Sequence, residues 1–534
     1  MDTESQVSAP FLVLILIPIF FFLILNYFFK SHSSNLPLPP GPTPWPLIGN
    51  LLHIGPNPLA TITNFSTLYG PLISLRLGSQ LAVFASSPAA AAQILRTHDH
   101  TLSARYIFQM TTDPHKLRHF SLLLSPECDN HWKLLRTTCR THLFTSKALQ
   151  TQSILRNTKI AAMVHYLESK TGSAVQIRDV GFTTIFNTLT NVVFSRDLMG
   201  FEEDGVGFCF KFKEHYRKIA KLGLVPNLAD FYPILSGLDL QGLKRKIAEC
   251  NRRVDVVYEG FIAQRRRDRD RNGGERLGDF LDSMLDIGFC DEQIKYLAAV
   301  SSPVFSLSLS PSPNILKMED CVLQWQELLS AGTDTTSTTV EWAMAELTKN
   351  KHIMKKVEEE IRREIKDQNE AIDESIIPQL HYLQACVKET LRLHPPAPFL
   401  LPHKALETCE VMGYTIPKDT RIFVNIWAIG RDPTIWENPL TFDPNRFLES
   451  DIDFKGFDFR FLPFGSGRRI CPGLPMAILQ VTLILANLIR NFDWSLPNNE
   501  DPSNLDLSGK VGIAYYKQDP LFLIPQNKVL STLY

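Results

Sequence analysis

The sequence predicts a mainly α-helical protein with a smaller β portion: a single globular domain behind an N-terminal membrane-anchor helix. Three observations predict it. Residues 11–29 form an apolar run without a charge. Helical periodicity dominates from about 130 to 300 and returns near 335–350, 379–393 and 476–491. Strand-like segments are short and confined to about 72–85 and 400–425. No strand–helix–strand alternation runs through the chain, which argues against a parallel α/β sheet, and no fixed-period repeat argues for a solenoid.

In the anchor segment only Pro18 and Asn26 interrupt the apolar run. As a helix it would rise roughly 28 Å, close to the hydrocarbon thickness of a bilayer. Asp2 and Glu4 precede it and Lys30 follows. That acidic start and the length of the run favour a retained anchor over a cleaved signal, with the rest of the chain on the cytoplasmic side. Residues 1–30 are therefore assigned to the anchor. Residues 31–46, with Pro37, Pro39, Pro40 and Pro42, form a stiff Pro-rich hinge, because proline fixes φ and forbids helix continuation. Residues 47–534 are assigned to the globular domain.

Within that domain, residues 72–78 and 81–85 read as two strands around a turn, and 88–97 as a helix with Pro88 in its first turn. The charge run from Arg265 to Gly274 reads as a solvated loop. Residues 335–350 and 379–393 read as amphipathic helices, and 476–491 as a long apolar one. Hydrophobic residues make up 44% of the 534 and charged residues 21%, as in a chain that buries a large core. The formal net charge is −1, so no global field favours nucleic acid. Nine cysteines, an odd number with no CxxC pair, argue against a disulfide framework or a structural zinc site. Most read as small buried hydrophobes in a reducing compartment.

One cysteine stands apart. In Phe464-Gly465-Ser466-Gly467-Arg468-Arg469-Ile470-Cys471-Pro472-Gly473 it occupies a glycine-rich, proline-flanked loop directly before a helix. Glycines let backbone approach a flat ligand, and nearby N–H groups at a helix N-terminus favour a thiolate. The loop resembles the haem-binding loop of the cytochrome P-450 family, FxxGxRxCxG, at Phe464, Gly467, Arg469, Cys471 and Gly473. The resemblance implies the cytochrome P-450 fold, haem (heme b) with Cys471 as its axial thiolate and metal ligand, O2, and electrons from NADPH through NADPH-cytochrome P-450 reductase.

Other segments extend the resemblance. Glu389-Thr390-Leu391-Arg392 matches ExxR, and Phe442 to Phe447 lies between it and the cysteine loop, with Asn445 where the family usually has glutamate. The resemblance makes Glu389, Arg392 and Arg446 a buried structural charge cluster. Glu359/Arg362 and Glu360/Arg363 match ExxR too, but read as surface i,i+3 pairs. Ala331-Gly332-Thr333-Asp334-Thr335-Thr336 matches the oxygen-activation segment. It assigns proton delivery to Asp334 and Thr335, with Ala331 beside them and Gly332 leaving room for dioxygen. Trp132 and Arg136 match WxxxR, which with Arg469 and His403 implies contacts to the haem propionates. Lys133, Arg136 and Arg140 make a basic strip that reads equally as a docking face for an acidic reductase or as an ordinary solvated helix face. Cavity walls are expected at 106–117, 206–231, the helix before Thr335, 397–401 and 511–514.

The spacer, the oxygen segment and several short stretches, among them residues 97–106, 405–409 and 429–433, resemble plant microsomal members of the family, and more narrowly the N-methylcoclaurine 3′-hydroxylase group. This implies a monooxygenase in the endoplasmic reticulum membrane acting on a small hydrophobic aromatic substrate of alkaloid type. One segment departs from the family pattern: residues of about 298–325, rich in serine, with Pro303, Pro311 and Pro313. Prolines there would break the oxygen-activation helix. The insert reads either as translated intron sequence, which its composition favours, or as a looped-out segment after which the helix restarts near Asn314. Transcript reads crossing it would sink the intron reading. Two alternative functions follow: a haem-binding or scaffold protein impaired by the insert, and a haem-thiolate rearrangement enzyme. Asp334 and Thr335 argue against an enzyme that needs no proton relay to O2.

Overall fold

The computed structural model describes residues 36–109, 121–202, 225–271, 276–291, 294, 327–365, 372–512 and 514–528. The anchor at 1–30, the start of the hinge and the insert at 298–325 lie outside the described residues.

The helices that position the site are, in chain order, α1 (Asn130–Cys139), α2 (Ile177–Phe194), α3 (Leu243–Arg271), α4 (Phe280–Ile287), α5 (Glu327–Lys349), α6 (Lys351–Glu364), α7 (His381–Leu393) and α8 (Leu474–Asn491). At the centre is α5. Its residues Val340, Trp342, Ala343, Met344, Ala345 and Leu347 are all 0% exposed, and from 336 to 348 the helix is buried on every side and not amphipathic as its sequence suggested. It packs along α2, α7 and α8. Each large apolar side chain fully buried there contributes about 1.5–3 kcal/mol. Among the described residues α8 is the one helix long and apolar enough to cross a membrane, with mean hydropathy 1.4, yet it sits in the core.

The strands are β1 (Leu72–Leu77), β2 (Gln80–Ala85), β3 (Ala104–Arg105), β4 (Val175–Gln176), β5 (His403–Lys404), β6 (Cys409–Val411), β7 (Tyr414–Ile416), β8 (Arg421–Val424), β9 (Phe492–Ser495), β10 (Gly509–Val511), β11 (Tyr515–Lys517) and β12 (Phe522–Asn527). One sheet has the order β1-β2-β8-β5-β3, with β2 and β8 parallel and the other pairs antiparallel. Smaller groups are β4-β12-β9, β10-β11 and β6-β7. The two N-terminal strands and the short strands between 400 and 425 fall where the sequence placed them. Pro88–Ala92 is α-helical as expected, and Gln93–Thr97 continues it as a wider π turn.

The charge run is not a solvated loop. Helix α3 continues through it to Arg271. Arg265 is 7% exposed and reaches Asp279 at 2.6 Å and Asp282 at 2.9 Å, while Arg269 reaches Asp282 at 2.7 Å and Asp286 at 2.9 Å. The counter-charges come from α4 and its N-cap Asp279, so Arg265 and Arg269 form a seam between two helices while Arg266, Arg267, Asp270 and Arg271 stay exposed. Glu360 is likewise no surface partner of Arg363. It is buried in α6 and accepts the N–H groups of Tyr382 (2.7 Å) and Leu383 (2.9 Å), capping the first turn of α7, while Arg363 pairs with Glu364 at 2.8 Å.

Candidate active site

The cysteine loop is folded by its own backbone before it meets any ligand. Cys471 N–H donates to the Phe464 carbonyl at 3.0 Å, closing the loop ahead of α8. Gly467 has φ +70°, and a Cβ there would stand 2.3 Å from the Leu95 carbonyl oxygen, so only glycine fits. Gly473 leaves space beside the Cys471 sulfur and the Phe144 ring. Burial pushes the Cys471 thiol above its ordinary value, against the N–H groups of Gly473 and Leu474 and the charge of Arg136. The helix N-terminus expected to hold a thiolate therefore does not suffice. A directly bound metal cation supplies what is missing, since a coordinating thiol is deprotonated outright. The donor set thus fits a haem iron.

Four cationic or basic groups gather at another part of the same cavity wall. Arg469 is buried, donates to the carbonyls of Ser103 (3.1 Å) and Ser125 (2.7 Å), and lies 4.8 Å over the Trp132 ring. The Trp132 indole donates to the Leu122 carbonyl at 2.8 Å. Arg136 donates to the Ile470 carbonyl at 2.6 Å, which ties α1 to the residue before Cys471. His403 Nδ1 sits 2.7 Å from the Leu102 carbonyl. The fourth group, Arg105, escaped the sequence reading. Antiparallel pairing of β3 with β5 sets Arg105 opposite His403. Its Nη1 donates to the Leu401 carbonyl at 2.7 Å, and its buried Nε has no hydrogen-bond partner. Burial, then the charge of Arg469, holds the Arg105 guanidinium well below its ordinary value, and burial with Arg105 does the same to His403. Crowded cations with an orphaned donor are what two carboxylates would neutralise, so the haem propionates fit here. No local motif marks Arg105; its pairing with a strand almost 300 residues later does.

The oxygen-activation segment lies in the first half of α5. Thr335 Oγ donates to the Ala331 carbonyl and Thr336 Oγ to the Gly332 carbonyl, both at 2.6 Å. Such bonds back to the preceding turn bend a helix slightly. Ala331, Gly332, Asp334 and Thr335 all line the cavity that Cys471 lines. Gly332 lines the cavity, and a Cβ there would also meet Leu189 Cδ1 of α2 at 2.9 Å, so a larger residue would push on that side chain. Asp334 is 6% exposed, and the Tyr516 hydroxyl donates to its Oδ1 at 3.2 Å. Burial pushes this carboxyl up to about 7, opposed by the charge of Arg178 and by the Tyr516 hydrogen bond.

Glu389 and Arg392, each with a fully buried side chain, form a two-pronged pair at 2.7 and 2.8 Å, and Arg446 joins Glu389 at 3.0 Å. Arg392 also donates to the Pro439 carbonyl at 2.7 Å, and Glu389 accepts the Asp443 N–H at 2.8 Å. Every charge in the cluster is partnered, as a buried ion pair requires. Asn445, the departure from the family pattern, donates to Asp443 at 2.7 Å.

The remaining walls come from 396–401, Val511, Gly512 and Leu328, with Leu122, Leu123, Leu189, Val192 and Val193 added beyond the sequence expectation. Tyr106 is not among them: its hydroxyl lies 3.2 Å from Asp230 and Arg421 sits 3.6 Å over its ring. Residues 110–117 and 206–224 lie outside the described residues. Of the basic strip, Lys133 and Arg140 are exposed and Arg136 is turned inward.

Comparison with known proteins agrees with this geometry. A family model described as Cytochrome P450 matches residues 39–520. The chain is 44% identical over 505 residues to the probable (S)-N-methylcoclaurine 3'-hydroxylase isozyme 2 of Coptis japonica, covering 95% of this chain and 96% of the relative. It is 41% identical over 517 residues to (S)-N-methylcoclaurine 3'-hydroxylase isozyme 1 of Papaver somniferum, covering 97% and 100%. To corytuberine synthase of Coptis japonica it is 42% identical over 519 residues, covering 96% and 98%.

Proposed function

The chain belongs to the cytochrome P450 family, and from that premise we propose that it hydroxylates the aromatic ring of a benzylisoquinoline-type alkaloid, with Cys471 as the residue that would ligate its haem iron. As a haem-thiolate monooxygenase it uses O2 and electrons supplied by a reductase. The haem, when bound, supplies the activation of dioxygen; the chain's own residues do the rest. Cys471 gives the thiolate, which pushes electron density toward the iron. Arg105, Arg136, Arg469 and His403 would hold the propionates, with Trp132 packed beneath the Arg469 guanidinium. Asp334 and Thr335 hold protons at the cavity wall, ready for delivery. Leu122, Leu189, Val192, Val193, Phe399 and Val511 exclude water and accept an apolar aromatic ligand.

The observation that carries this reading is a single apolar cavity lined both by the Cys471 loop and by the Asp334–Thr335 turn of α5. Among the described lining residues Asp334 is the one carboxylate, so shape and aromatic faces select the substrate there. Residues 1–30 would anchor the chain in the endoplasmic reticulum membrane with the catalytic domain in the cytosol, where NADPH-cytochrome P-450 reductase reaches it. Impairment by the insert is the less favoured reading, because relatives of hydroxylase name match along nearly the whole chain.

The test is the carbon-monoxide difference spectrum of the reduced full chain, followed by turnover of N-methylcoclaurine and related amines with reductase and NADPH. A thiolate-type Soret band and a product that gains one oxygen are expected. Cys471→Ser removes the band. A chain that binds no haem, or a Cys471→Ser protein that keeps the thiolate band, overturns the assignment. A product that loses two hydrogens instead moves the reaction to phenol coupling.

A further inference from the structure

The first half of α5 faces a polar seam that haem binding does not explain. Two turns of that helix bring Asp334 and Glu341 to the same side, toward the first turn of α2 and toward β11 with the segment after it. Glu341 accepts the Leu521 N–H at 2.9 Å. Arg178, half-exposed at the start of α2, places its guanidinium 4.8 Å over the Tyr516 ring. Tyr516 is buried and its hydroxyl donates to Asp334 Oδ1 at 3.2 Å. The order from surface to cavity is therefore guanidinium, phenol ring, phenol hydroxyl, carboxyl. Lys517, next in β11, faces Trp342 and Glu341 instead.

We propose that Tyr516 is a positioning residue for Asp334: its hydroxyl fixes the carboxyl on the cavity wall, and Arg178 steadies the phenol from the solvent side. The proposal rests on the reading of Asp334 as the cavity's proton-holding group. A carboxyl at the end of a short side chain has two rotamer families to choose from, and one hydrogen bond from a rigid ring selects one of them. The phenol is suited to donate, because burial and then the neighbouring Asp334 push it well above its ordinary value, so it stays protonated. Donation favours the ionised carboxylate, as does the charge of Arg178, and both oppose the burial that favours the neutral acid. Without Tyr516 the acid would be held protonated to higher pH and would give up its proton less readily.

Infrared spectroscopy of the full chain tests this. Asp334→Asn identifies the carboxylic-acid stretch of Asp334 by its loss, and that band is then titrated in the unsubstituted protein, in Tyr516→Phe and in Arg178→Gln. Tyr516→Phe keeps the ring and its packing. The midpoint is expected to move upward in both variants. With the reductase, the pH at which product formed per NADPH begins to fall moves upward in parallel, and on the plateau below that pH peroxide released per NADPH rises about fivefold in Tyr516→Phe, the worth of one hydrogen bond. A midpoint that stays put in Tyr516→Phe overturns the proposal whatever turnover does. A midpoint that moves while the unsubstituted chain makes no product upholds the positioning role and overturns the functional reading instead.

Discussion

At the scale of single residues the cavity is a set of polar groups held out of balance. Asp334 is pushed from 3.8 up to about 7, first by burial, with Arg178 and Tyr516 opposing. The folded state therefore binds a proton that the unfolded state has lost over that interval. Stability is greatest below the unfolded value, near 4, and falls as pH rises to about 7. Asp334→Asn should remove that slope, leaving the variant more stable above pH 7 by up to roughly 4 kcal/mol. Thermal unfolding of both proteins from pH 4 to 8 checks it; parallel curves would refute it. Cys471 shows the same imbalance with the opposite remedy, since its thiol is raised by burial and only a directly bound cation makes the thiolate comfortable.

At the scale of elements, motifs that look local are joints between distant segments. ExxR in α7 is a bidentate pair that also binds the chain at 439–446 through Arg392 and Arg446. Arg392→Leu leaves the Glu389 carboxylate in a site with 0% exposure, with Arg446 as its remaining ionic partner. The expected cost is about 3–5 kcal/mol, enough to prevent recovery of haem-loaded protein. The ratio of haem absorbance to protein absorbance after purification measures it, and an unchanged ratio would contradict the structural role. Part of this layer was legible in the sequence: the cysteine loop, ExxR and the oxygen segment each have a fixed internal spacing. Arg105 and Tyr516 have no such spacing. Each meets its partner through strand pairing or through chain almost two hundred residues away, where local periodicity carries no information.

At the scale of the whole molecule, α5 with its neighbours α2, α7 and α8 and a five-stranded sheet set the cysteine loop and the Asp334 turn on one cavity. Helix α8 shows how membrane-like composition is used for a core, since it is packed by α5, α6 and α7. The apolar run at 11–29 carries charges only at its flanks and is the segment proposed to enter the bilayer. A chain lacking residues 1–30 is expected to lose most of its membrane association in a flotation assay while keeping the thiolate-type band. Full retention on membranes would place the anchor elsewhere.

By itself the sequence picked out the candidate chemistry: Cys471 in a glycine-rich loop, Asp334 and Thr335 on a helix, and the cluster of Glu389, Arg392 and Arg446. It did so because haem ligation and oxygen activation demand particular residue types at short, fixed separations. It misread Arg265 and Glu360, because whether a charge is solvated depends on the element packed against it. Tertiary structure alone decided those two, along with the cationic wall around Arg105 and the hydrogen bond from Tyr516 to Asp334. Burial sets their energies, and burial is a property of the packed molecule.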